Sequence, residues 1–69
     1  MTTFKPFKMG HILYAGQTVK CLPYGDDDVR VATIIDVLPH DRWIGMDLRT
    51  KEKYLLDRTV ITHVLRPVD

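Results

Sequence analysis

The sequence predicts a small all-β domain, a five-stranded barrel behind an irregular N-terminal arm. Three observations carry that expectation. The stretch Val29–Leu48 (VRVATIIDVLPHDRWIGMDL) reads as two strands, Val29–Leu38 and Arg42–Arg49, joined by the turn Pro39-His40-Asp41. The first of these is rich in Val and Ile, whose stiff χ1 suits a pleated surface. Short alternating runs flank the pair on both sides, with a loop after the first strand and hairpins between the middle ones.

Size and composition set the frame. A chain of 69 residues with 45% hydrophobic content makes one small domain, too apolar to be disordered. Domains this small bury about 60% of the surface exposed in their unfolded chain, so the core is marginal and a partner chain would help it. Cys21 is the only cysteine, which leaves no internal disulfide. A single cysteine and no signal peptide fit a reducing, cytoplasmic compartment. The apolar runs are a few residues long, too short for a membrane helix. Net charge is +1, which is not the bulk signature of a nucleic-acid binder. The charge is uneven, though: Asp26-Asp27-Asp28 form one acidic block, and basic residues outnumber acids from Arg42 onward.

In order, residues 1–15 read as the arm. Pro6 removes a donor and makes a regular ladder unexpected. Phe4 and Phe7 are placed to fold back on the barrel or to dock on another subunit, which makes them the candidate oligomerisation residues. Ile12 and Tyr14 are expected to cover the barrel's open end. Gly16 opens the domain proper, residues 16–69. In Thr18–Leu22 alternation sets Val19 and Cys21 on one face. Pro23-Tyr24-Gly25-Asp26-Asp27-Asp28 is a loop. Its acids are contiguous and lack the spacing of a calcium loop, so they read as solvated turn residues.

Val29–Leu38 slips its alternation at Ile34-Ile35, which predicts a bulge or sharp bend. Helical spacing is the competing pattern there, and the β-branched content with Pro39 decides for strand. Arg42–Arg49 alternates cleanly. Ile44, Met46 and Leu48 are assigned to the core face, and Trp43, Gly45, Asp47 and Arg49 to the outer one. Thr50-Lys51-Glu52 is a hairpin tip, and Lys53–Leu56 returns with Tyr54 and Leu56 inward. Asp57-Arg58-Thr59 predicts a single helical turn. Val60–Val68 is the last strand, with Ile61, His63 and Leu65 on one face.

This order of elements resembles the SH3-like small barrels over roughly residues 16–67. The residues that carry the likeness are Gly16-x-x-Val19, Ala32-x-Ile34-x-x-Val37, Ile44-Gly45-Met46-Asp47-Leu48 and Leu65-Arg66-Pro67. The pattern is similar to Tudor-like and KOW-like members. A Tudor-type reader implies an aromatic cage for a methylated cation. Here Tyr24 and Trp43 are the candidates, and Tyr54 joins them only if it faces outward. A KOW-type binder implies more basic loops than this chain carries.

The candidate partner-binding residues follow from the face assignment. Trp43, placed outside, would anchor a partner or be covered by the arm. Arg42, Arg49, Lys51, Lys53 and Arg58 around it would form a stacking-plus-phosphate surface, or a solvated face neutralised by Asp47, Glu52 and Asp57. His11, His40 and His63 are too scattered for metal ligands, so no metal and no cofactor are expected. Cys21 reads as a small core hydrophobe. The chain has no serine, and neither a nucleophilic dyad nor a phosphate loop stands out, so no catalytic residue is assigned.

The expected function is a non-catalytic module that recognises a protein partner as a regulator or adaptor. Nucleic-acid binding through the basic surface is the second expectation, and an enzyme built between subunits of a symmetric oligomer is a third, weaker one. A homo-oligomer is a separate expectation, from the marginal core and the aromatic arm.

Overall fold

The computed structural model describes residues 1–8 and 10–67. Val68 and Asp69, assigned above to the end of the last strand, and Met9 of the arm lie outside the described residues. Six strands form: β1 (Thr2–Pro6), β2 (Thr18–Cys21), β3 (Arg30–Leu38), β4 (Arg42–Asp47), β5 (Lys53–Asp57) and β6 (Ile61–Pro67). All pair antiparallel in the spatial order β1-β6-β2-β3-β4-β5, and the sheet is not closed. The domain is therefore all-β, with one strand more than expected. No helix among the described residues is long and apolar enough to cross a membrane.

The extra strand is the supposed irregular arm. Thr2–Pro6 pairs residue by residue with Pro67–His63 of β6. Pro6 is compatible with this because β1 lies at the sheet's edge and Pro6 at its end, where a ladder donor is dispensable. Phe7 continues the ladder, donating its N–H to Thr62 O at 3.0 Å. Beyond it the chain crosses the core, and here too the assignment changes. Leu13 is the buried residue of this segment, while Ile12 and Tyr14 are exposed.

The core gathers Leu13, Val19, Cys21, Ala32, Ile34, Trp43, Leu56, Val60, Ile61 and Val64, with Phe7 and Tyr54 packed against it. Val19 and Cys21 face inward as the alternation requires. The slip in β3 is a real irregularity: pairing with β4 steps from Ile34↔Gly45 to Asp36↔Ile44, and Ile35 is left over and exposed. A second irregularity lies opposite Cys21. There Lys20 pairs with His63 and Cys21 with Ile61. Ile61 and Val64 can both turn inward because of it, which a strict alternation from Ile61 to Leu65 misses.

The face assignment of β4 is reversed. Trp43, Gly45 and Asp47 are buried, and Ile44, Met46 and Leu48 point outward. Gly45 is the reason the inner face closes. A Cβ there would stand 2.7 Å from Leu56 Cδ1 and 3.4 Å from Ala32 Cβ, so the fully buried Leu56 occupies the room a side chain would need. In place of the helical turn expected at Asp57-Arg58-Thr59, Asp57 ends β5 and residues 58–60 form a plain turn closed by Val60 N–H to Asp57 O at 3.3 Å.

Candidate binding groove

The end of the sheet where β3 begins and β4 finishes carries a concavity. The loop before β3 turns sharply at Gly25, whose φ of 82° suits the third place of a turn closed by Asp26 N–H to Pro23 O at 3.0 Å. That turn aims Asp26 at the start of β3. Arg30 Nε donates to Asp26 Oδ2 at 3.2 Å and Nη2 to Oδ1 at 3.3 Å, a bidentate pair. One of the three acids is thus structural, while Asp27 and Asp28 are exposed as expected.

Opposite Arg30, β4 ends at Asp47 because the Asp47 carboxylate takes over the backbone. Its Oδ1 accepts the N–H groups of Arg49 at 2.7 Å and Thr50 at 3.1 Å. Tyr54 OH donates to Oδ2 at 3.1 Å, and Arg30 Nη1 lies 3.6 Å from the same oxygen. Asp47 is 2% exposed. A buried carboxylate is tolerable only when so partnered. The backbone donors of Thr50 and Arg49 hold it below the usual carboxylate range. Burial pushes the Tyr54 phenol upward, which keeps it the donor in this pair.

Together these elements line a groove of about 450 Å³, bounded by Asp28, Val29, Arg30, Val31, Asp47, Leu48 and Arg49. Its floor is formed by Arg30 and Asp47, two members of the Asp26–Arg30–Asp47 ion network. Its lips are aliphatic: Val29 is 56% and Leu48 44% exposed. Asp28 and Arg49 supply opposite charges. Leu48 N–H donates to Val31 O at 3.1 Å, which ties the two walls together beneath the opening.

The residues singled out from sequence are dispersed around this frame. Arg49 lines the groove, and Lys51 and Lys53 are exposed on the same hairpin. Arg42 and Arg58 lie towards the opposite end of β4 and β5, where Arg42 pairs with Asp57. Trp43 is not an exposed anchor. It is 4% exposed, with Phe7 edge-on at 6.1 Å between ring centroids. Arg58 is engaged too: it donates to Lys8 O at 3.4 Å and His11 O at 3.2 Å, and pairs with Asp41 at 3.2 Å. Tyr24 is exposed but leans on the β5–β6 turn, its hydroxyl 2.9 Å from Thr59 Oγ1 and donating to Asp57 Oδ2 at 3.2 Å. Phe4 and Phe7 both find partners in their own chain, Lys20 Nζ lying 4.5 Å from the Phe4 ring centre.

Val29, Arg30, Asp47 and Leu48 were absent from the sequence-derived site. Asp47-x-x-Thr50 before a hairpin tip is a legible turn signal. Nothing local marks Arg30, whose partners sit in another loop and another strand. No group of three His, Cys, Asp or Glu converges among the described residues in a way that would hold a metal ion.

The fold and groove define a small antiparallel β-domain with a shallow amphipathic cleft at one end of its sheet. No family model matches the chain, and no curated protein or solved structure matches it significantly.

Proposed function

We propose that the domain is a non-catalytic module that binds a protein partner, taking an extended segment into the groove with an apolar side chain between Val29 and Leu48. The observation that carries this is the pairing of two exposed aliphatic lips with a charge-balanced floor. Arg30 is already neutralised by Asp26 and Asp47, so the floor offers little to a phosphate. The polar rim of Asp28 and Arg49 suits a peptide backbone flanked by side chains of either sign. The protein reading is also favoured because Trp43, the ring a base would stack on, is buried and Arg58 is engaged within the chain, while Arg42, Arg49, Lys51 and Lys53 stay exposed.

The test is selection of peptides from a random display library on the immobilised domain, followed by affinity measurements on Leu48→Asp and Val29→Asp. Enriched peptides should share an apolar position and lose about tenfold or more in affinity on either change. Failure to enrich any peptide would overturn the proposal, as would peptides indifferent to both changes. So would an oligonucleotide that binds and is released steeply by salt.

A further inference from the structure

The two edges of the sheet are unlike. β1 forms one edge and ends in Pro6, which has no N–H to offer a new strand. β5 forms the other edge as Lys53-Tyr54-Leu55-Leu56-Asp57, with no proline and with Leu55 58% exposed.

Two backbone bonds fix which groups of β5 face outward. Leu48 N–H donates to Val31 O, so the even-numbered residues of β4 bond to β3. Asp47 N–H donates to Glu52 O at 2.7 Å, so the odd-numbered ones bond to β5. The register Trp43↔Leu56 and Gly45↔Tyr54 then commits the backbone groups of Tyr54 and Leu56 to β4. Those of Lys53, Leu55 and Asp57 turn to the open side, where no described strand pairs. Asp57 O also accepts from Val60 N–H in the turn.

We infer that a second copy of this chain occupies that edge, its β5 pairing antiparallel with this β5 about a two-fold axis at Leu55. The strand itself names the occupant. Lys53 and Asp57 flank Leu55 at equal distance with opposite charge. Antiparallel self-pairing centred on Leu55 therefore sets Lys53 opposite the partner's Asp57 at both ends, and Leu55 opposite the partner's Leu55. Centring the axis on Lys53 or on Asp57 would instead bring like charges face to face, which disfavours those registers. The favoured register also brings the outward backbone groups of the two strands together as hydrogen-bonded pairs. Ile44, opposite Leu55 in β4 and half-buried, extends the apolar row across both subunits. Such an interface is isologous and closes at two. It uses the β5 edge and leaves the groove alone, so either idea can fail without the other.

The experiment is sedimentation or light scattering of the full chain over a hundredfold concentration range. The mass is expected to rise to that of two chains. Leu55→Asp and Leu55→Lys each place like charges at the axis and are expected to remain single chains. Their circular dichroism should match the parent, because Leu55 is exposed. An equimolar mixture of the two variants is expected to regain the doubled mass, since opposite charges now meet. Thr3→Asp, on the other edge, is expected to leave the dimer intact. A parent that stays a single chain throughout overturns the inference. So does a dimer unaffected at Leu55, a mixture that stays monomeric, or a dimer lost on Thr3→Asp.

Discussion

Phe7 stands edge-on to Trp43, the ring planes at 86°, and the Arg58 guanidinium lies 4.9 Å from the centre of the first ring and 5.8 Å from that of the second. One cation thus seals a pair of aromatic rings drawn from the segment after β1 and from β4. Its bonds to Lys8 O and His11 O fasten the intervening segment. Trp43→Ala should therefore unfold the domain rather than select against a partner. The expected loss is about 3–5 kcal/mol in urea denaturation, the range for emptying a buried aromatic site. A Trp43→Ala chain with an unchanged midpoint would refute the packing described.

Gly45 is expected to resist even alanine. The added methyl would press on Leu56, which is fully buried and has little room to move. Overpacking of this kind costs about 1–3 kcal/mol. Shortening the neighbour should give part of it back, so the Gly45→Ala, Leu56→Val pair should be less destabilised than the sum of the single changes. Strict additivity in chemical denaturation would sink the explanation.

Acid should loosen the domain through two carboxylates. Asp47 is held below the ordinary value of 3.8, first by the Thr50 and Arg49 N–H groups, and Asp57 is held below it chiefly by the Thr59 hydroxyl. A depressed folded pKa means that the unfolded chain takes up protons first. Their contribution is present above pH 3.8 and is lost as pH falls below it through the folded values. Melting temperature should drop over that window. Asp47→Asn should start lower and fall less steeply, and parallel curves for the two proteins would contradict the assignment.

Cys21 should be silent to thiol reagents in the folded state. It is fully buried, and burial pushes its thiol up to about 11. At pH 8 about one thiol in a thousand would be ionised even if reagent could reach it. Labelling with a chromogenic disulfide should therefore track unfolding and accelerate with urea. Reaction at the rate of a free thiol in buffer would show that β2 opens readily.

The strands between Thr18 and Asp57 were legible because alternation, β-branching and turn residues agree there. The bulge at Ile34-Ile35 showed as a slip in that same alternation. What alternation cannot say is which face turns inward, and β4 is the plain case. Ile44, Met46 and Leu48 form the more uniformly apolar set. The other set wins because Trp43 packs edge-on against Phe7, Gly45 admits Leu56, and Tyr54 and Arg30 wait for Asp47. The candidate site inherited that error through Trp43. β1 was missed for a related reason: Pro6 argues against a central strand, but not against an edge strand ending there. The groove depended on Asp26, Arg30 and Asp47 meeting from separate elements, which no local spacing announces.

Strand β6 pairs with both β1 and β2. During synthesis the two earliest strands therefore wait for the latest one, with about sixty residues between β1 and its mate. Such distant pairings close late and slowly, so assembly should take milliseconds to seconds rather than microseconds. In that interval Val19 and Cys21 have β3 on one side but lack their β6 neighbours Val64 and Ile61 on the other. A nascent chain halted before residue 61 would then keep an adhesive surface on show, and would be a client for holding chaperones rather than a domain in waiting.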